Sequence, residues 1–176
     1  MLDCIDTTRD PSRWRFRPMD DAAAGEVAAW RYPGAYALYD GKDLDAPTAD
    51  VRPPGAVLEH LAAVDVEDRL VGFASLLVQG PEVEIAVGLR PDLTGRGLGL
   101  GFLLGVLSEV RRRHEDVMTF RLAVAAFNNR ALSVYRRAGF RPDGTVRRTV
   151  GGEAREFIKM SRPALSAGRY GRFGLR

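Results

Sequence analysis

Four glycines spaced two apart, Gly95, Gly97, Gly99 and Gly101, stand directly before an apolar run of helical length in RPDLTGRGLGLGFLLGVL, residues 90–107. Glycine there lets backbone N–H groups approach a bound group closely, and the N-terminus of a helix favours an anion. Neither common nucleotide loop accounts for the spacing. The dinucleotide pattern G-x-G-x-x-G fails in every register, because Leu100, Phe102 or Leu104 takes the place of the third glycine, and the chain holds no Gly-Lys-Ser/Thr. What remains is a pyrophosphate-sized anion held by main-chain donors of Arg96, Gly97, Leu98 and Gly99. The competing reading is a capped helix that packs tightly through small residues, and it fits Gly101 and Gly105, one turn apart.

Such a loop needs a strand before it and a helix after it, and the flanking sequence offers both. Leu103, Val106, Leu107 and Val110 recur at helical spacing. Upstream, residues 57–66, 69–78 and 83–89 read as a three-stranded meander with turns at Glu67 and Asp68 and at Gly80 and Pro81. Before it, residues 14–19 form a short strand, and Asp20 or Asp21 caps an Ala-rich helix that runs to Trp30. Residues 31–55 hold four prolines and three tyrosines without periodicity, a loop of the length that more often carries function than filler. Downstream, a strand over Met118 to Ala125 precedes a short helix capped by Asn128 or Asn129 and stopped at Gly139. Two further strands, residues 140–149 and 156–160, lead to a segment, 162–176, expected as a flexible or partner-packed tail of a single domain.

A chain of 176 residues with 45% hydrophobic content is long enough for one sizeable core. The single Cys4 cannot form an internal disulfide, the opening residues carry no apolar run like a secretion signal, and no later stretch approaches a membrane span. A cytoplasmic chain, monomer or homodimer, is the expectation. Net charge is only +3, but residues 1–110 carry 10 basic against 18 acidic side chains and residues 111–176 carry 16 against 5. A basic half could attract nucleic acid or a phosphorylated small molecule. No aromatic-interleaved RNA motif or recognition helix accompanies the charge, so nucleic acid is not the expected partner. His60 and His114 have no metal-ligand neighbours, and no metal is expected.

The stretch LRPDLTGRGLGLGFLL resembles the coenzyme A loop of the GCN5-related N-acetyltransferases (GNAT), whose pattern is Gln/Arg-x-x-Gly-x-Gly/Ala between a strand and a helix. The glycines of the pattern fall on Gly97 and Gly99, with Arg96 before them and Thr94 in place of the first Gln or Arg; a register starting at Arg96 also fits the letters. Independently, NNRALSVYRRAGF resembles the family's later motif Asn-x-x-Ala-x-x-x-Tyr-x-x-x-Gly-Phe, matched at Asn128, Ala131, Tyr135, Gly139 and Phe140. The resemblance covers Arg15 to Ser161. It implies an α+β fold, a mixed, mostly antiparallel central sheet flanked by helices, and the order of elements above agrees.

It also implies transfer of an acetyl group from acetyl coenzyme A, as cosubstrate, to an amine acceptor. The cofactor would then lie on Val87, Leu89, Thr94, Gly95, Arg96, Gly97, Leu98, Gly99, Asn128 and Ala131, with main-chain donors of a splayed strand at Val87 to Leu89 facing the carbonyl oxygen. Tyr135 takes the role of proton donor to the leaving thiolate. An ammonium must lose a proton before attack, so a carboxylate should stand near the acceptor. Glu82 and Glu84 share one face of a strand, and Glu84 is preferred as base because it lies deeper and where many relatives carry a carboxylate. Trp30, Tyr32, Tyr36 and Tyr39, with Asp40, Asp43, Asp45 and Asp50 nearby, would line a cationic, partly apolar acceptor such as an aminoglycoside, a polyamine or a protein amine. The alternative is an acyl-coenzyme A sensor that binds without turnover.

Overall fold

The computed structural model describes residues 13–40, 53–150 and 152–164. Asp43, Asp45, Asp50 and Cys4 lie outside them. Seven strands form one sheet in the order β1-β2-β3-β4-β5-β7-β6. They are β1 (Arg15–Pro18), β2 (Val57–Val64), β3 (Leu70–Gln79), β4 (Glu82–Leu89), β5 (Thr119–Ala125), β6 (Arg141–Val150) and β7 (Glu153–Pro163). Three helices, α1 (Asp21–Ala29), α2 (Gly99–Arg113) and α3 (Asn129–Arg137), and two 3-10 segments, Gly34–Tyr39 and Pro91–Leu93, accompany them among the described residues. Every neighbouring pair is antiparallel except β4 and β5, which run parallel. The architecture is the mixed, mostly antiparallel α+β sheet expected.

The hydrophobic pattern explains the layering. β3 is buried along nearly its whole length, as a central strand covered on both faces must be. One face packs on α2, whose Phe102, Leu103, Val106, Leu107 and Val110 join Leu61, Leu76, Val83, Ile85 and Phe120 in the main core. The other face packs on α1, where Ala23, Val27 and Trp30 meet Ala62, Val64 and Phe73. Asp20 starts α1 by accepting the Ala23 N–H at 2.8 Å, which holds its carboxyl below the ordinary range. Asn128, not Asn129, caps α3. β7 begins three residues earlier than expected because residues 153–156 pair with β6, and it continues through Arg162 and Pro163 because residues 157–163 pair with β5; Ala164 behind it is buried. Residues 165–176 lie outside the described residues.

The feature that shapes the site is the short contact between β4 and β5. Only Glu82, Val83 and Glu84 pair with Thr119, Phe120 and Arg121; beyond Glu84 the strands diverge. β4 stays paired with β3 as far as Leu89 and Gly72, and β5 stays paired with β7 as far as Ala125 and Phe157, so each arm of the fork is held from outside. Close packing at Gly72 helps to fix the β4 arm: a Cβ there would meet Phe102 Cζ at 2.6 Å and the Gly88 carbonyl oxygen at 2.8 Å. Gly72→Ala should therefore destabilise the fold by about 1–3 kcal/mol, read as a lower midpoint in denaturant unfolding. Phe102→Leu in the same chain should recover part of the loss, since it clears one of the two clashes; strict additivity of the two changes would refute the contact.

Candidate active site at the fork of the sheet

The fork opens into a cavity of about 690 Å³ whose walls come from several parts of the chain, Ala123 and Val124 of β5 among them. β4 supplies Ile85 to Leu89; the loop after it and the start of α2 supply Thr94, Gly95, Gly97 and Gly99; α3 supplies Asn128, Ala131 and Tyr135; the 3-10 segment and its approach supply Tyr32, Tyr36 and Tyr39. Gly95 and Gly97 have φ of 75° and 78°, a left-handed backbone that suits glycine. A Cβ at Gly97 would meet no atom within 4 Å. Leu98 precedes α2 without any side-chain cap, and the first intrahelical bond there is Phe102 N–H to Leu98 O at 3.0 Å, so the N–H groups of Gly99, Leu100 and Gly101 precede the ladder. The Thr94 hydroxyl turns away to its own loop, donating to Pro91 O at 2.7 Å.

Three tyrosines bind the segment before β2 to the rim of the fork. The Tyr32 hydroxyl donates to Leu89 O, at the end of β4, at 2.7 Å. The Tyr39 oxygen accepts the N–H of Ala125, at the end of β5, at 3.3 Å and the side-chain amide of Asn128 at 3.2 Å. Asn128 cannot be turned over without loss, because its Oδ1 accepts the Ala131 N–H at 3.1 Å as the cap of α3. Tyr36 lies against Phe127, ring centroids 5.9 Å apart, with the Arg130 guanidinium 3.9 Å above its ring. Tyr135 stands half-buried, its ring edge-on to Phe140 at 6.0 Å, and among the described residues nothing hydrogen-bonds its hydroxyl. Burial, with Tyr39 adding to it, pushes its pKa above the ordinary phenol value. It keeps its proton at neutral pH.

Glu82 and Glu84 point to the other face of the sheet, into a second cavity of about 410 Å³. Their surroundings push them apart. Glu82 receives two hydrogen bonds from Arg121, at 2.8 and 2.9 Å, which hold its carboxyl below the ordinary range. Glu84, the last residue of β4 paired with β5, is more buried; burial raises its pKa, against the pull of Arg148, Lys159 and Arg121. Arg148 lies 3.7 Å from its carboxylate. Ala123 lines both cavities.

Residues 21–140 match the acetyltransferase (GNAT) family model. The chain belongs to the GNAT family. It is 41% identical over 100 residues to a mycothiol acetyltransferase of Clavibacter sepedonicus, a match covering 56% of this chain and 32% of that protein, so the chain spans about a third of the length of that relative. Among solved structures it resembles the ribosomal-protein-S18-alanine N-acetyltransferase of Escherichia coli, with a TM-score of 0.60, 20% identity and coverage of 91% of this chain and 99% of that one. It also resembles the spermidine N-acetyltransferase of Vibrio cholerae in complex with CoA and spermine, with a TM-score of 0.62, 14% identity and coverage of 87% and 96%. At those identities the likeness is one of fold.

Within this GNAT frame, the fork brings together Val87, Leu89, Thr94, Gly95, Gly97, Gly99, Asn128, Ala131 and Tyr135 with Tyr32, Tyr36 and Tyr39. Leu98 is buried in the core, the Arg96 side chain is exposed, and neither lines the cavity. Trp30, expected beside the acceptor, is a correction: as the residue that ends α1 it is buried on Phe73, ring centroids 6.2 Å apart, and does not line the cavity. Sequence reasoning missed Arg130 and Arg137, which line the α3 wall seven residues apart and hence on one side of the helix, a spacing that could have singled them out from the general basic excess. Nothing in the sequence pointed to Arg148 and Lys159 beside Glu84, since strand pairing alone brings them there. Asn128→Ala should lower stability by about 1–2 kcal/mol by removing the cap and the Tyr39 contact together. Asn128→Asp should regain the cap alone. A thermal melt in which the two variants lose equally would show that the cap contributes nothing.

Proposed function

We propose that this chain transfers the acetyl group of acetyl coenzyme A to a primary amine at the fork between β4 and β5. The observation that carries the proposal is the single cavity running from the uncapped start of α2, past Gly97 and Gly99, to Tyr135, with Ala123 shared between it and the cavity that Glu84 lines. The residues fit the cosubstrate. The backbone N–H groups of Gly99, Leu100 and Gly101 suit a pyrophosphate, and the open space beside Gly97 is the room it would take. Val87, Leu89 and Ala131 give a smooth wall for an extended, mostly apolar arm. Arg130 and Arg137 add positive charge beside the phosphate end.

Acetyl coenzyme A supplies an activated thioester carbonyl. Glu84 accepts a proton from the incoming ammonium, directly or through a water, which frees the nitrogen pair to form the C–N bond. Its raised pKa makes it a better proton acceptor than Glu82, whose carboxylate is engaged by Arg121. The edge of β4 from Ile85 to Leu89 has no ladder partner on its β5 side and offers main-chain donors to the carbonyl oxygen as charge develops there. Tyr135 gives its proton to the sulfur as the C–S bond breaks. Its raised pKa suits a donor that must stay protonated until then.

Binding is tested first. A hundredfold excess of coenzyme A over its dissociation constant should add about 2.7 kcal/mol of stability, a rise in melting temperature of roughly 5–10 °C. Gly97→Val should abolish the rise. A melt unmoved by coenzyme A ends the proposal, and binding with no thiol release on any amine reduces the chain to a coenzyme A-binding module.

Chemistry is tested by pH. With Glu84 as base, kcat/KM should fall as pH drops through a pKa above the ordinary carboxylate value, because protonation removes the base. Glu84→Gln should erase that acid limb and slow turnover by about 10²–10⁴-fold. Tyr135→Phe keeps the ring and should slow turnover by about 10²-fold or more with coenzyme A affinity unchanged. An acid limb that persists in Glu84→Gln assigns the base elsewhere.

A further inference from the structure

The second cavity, about 410 Å³, belongs to the face of the sheet opposite α2 and α3, and it is charged where the first is aromatic and apolar. Glu82, Glu84, Arg121, Asp143, Arg148 and Lys159 all line it. Three of these close on one another: Arg121 holds Glu82 at 2.8 and 2.9 Å and reaches Asp143 at 3.3 Å. Glu84 is held less closely, with Arg148 at 3.7 Å. Lys159, on β7, is exposed to the cavity, makes no ion pair among the described residues, and lies near enough for its charge to act on Glu84. A carboxylate that can take an ammonium and an ammonium that can take an anion thus face the same space.

Resting on the transfer reading above, we propose that this cavity is the acceptor site and that it takes a small zwitterion: a primary amine carrying a carboxylate or phosphate a few bonds away, with the amine at Glu84 and the anion at Lys159. The volume suits a small molecule. Ala123, the residue common to both cavities, is small enough to let the amine reach the thioester at the fork. The charge pattern also selects against polyamines. A second ammonium on the acceptor would meet Arg148 and Lys159 in place of an anion, and like charges in a partly buried site repel. The same two cations favour the neutral form of the reacting amine, and the acceptor's own anion restores the balance once it is bound.

The test uses the full chain in two assays. Calorimetry with saturating coenzyme A reads the cavity, and thiol release from acetyl coenzyme A reads transfer. The probes are a panel of L-amino acids, their amides, phosphoethanolamine and spermidine. The anionic amines should bind, and kcat/KM should favour each over its uncharged counterpart by about tenfold or more, the worth of one charge-assisted hydrogen bond. The carboxylate and phosphate arms tell which anion the site prefers. Lys159→Gln should raise KM for anionic amines about tenfold more than for the amides, with the KM of acetyl coenzyme A unchanged, and Lys159→Arg should restore it. Amides or spermidine used as well as the anionic amines, an equal effect of Lys159→Gln on every amine, or no binding of anionic amines would each overturn the proposal. Lys159-dependent binding without thiol release would keep the cavity assignment and overturn the transfer reading instead.

Discussion

Two neighbouring strands that agree for three residues and then part create the fork on which the rest of the site depends. Beyond Glu84, β4 and β5 expose facing edges of backbone N–H and C=O groups, which are costly to leave without partners once water is excluded. The chain answers part of that cost itself. Tyr32 takes the carbonyl at the far end of β4 and Tyr39 takes the amide at the far end of β5. Between these two ties the edges remain available to a ligand, and that is where the glycine loop, Tyr135 and the apolar wall of Val87 and Leu89 converge. The parallel pairing matters too, because it requires a crossover, and the crossover is α2. The start of that helix is delivered to the open end of the fork.

The fork also sorts charge. Glu82 and Glu84 stand two residues apart on the same face of one strand, yet their carboxyl groups shift in opposite directions. The reason is local: the last paired residue sits deeper between the arms and is desolvated, whereas its neighbour toward the closed end is engaged by Arg121 from the adjacent strand. Two identical side chains thus come to differ in their hold on a proton. The two phenols differ in a similar way. The Tyr39 oxygen is engaged by two N–H donors, while Tyr135 lines the cavity and its hydroxyl makes no hydrogen bond among the described residues.

The tyrosines before β2 line the fork, and two of them also hold its rim. Their number and setting suggested an acceptor wall, and all three do line the cavity. Two of them spend their hydroxyls on the ends of β4 and β5, so they also hold the fork at its rim. Trp30, which looked like a fourth member, is turned into the core by the last turn of α1, because an indole beside Phe73 removes more apolar surface from water there than it would at the rim.

What the sequence determined by itself was local: the order of strands and helices, the glycines before α2, a cap at Asn128 or Asn129 and the one-turn spacing of Ala131 and Tyr135. Each is set by period, propensity or backbone freedom within a few residues, which is why they could be read directly. The tertiary structure alone decided where β4 and β5 stop pairing, that Lys159 and Arg148 from the last hairpin stand beside Glu84, and that Tyr32 and Tyr39 tie down the arms. Those contacts join residues tens of positions apart. They depend on register and on which face each strand turns to the core, and a shift of one residue would send every such side chain to the opposite face.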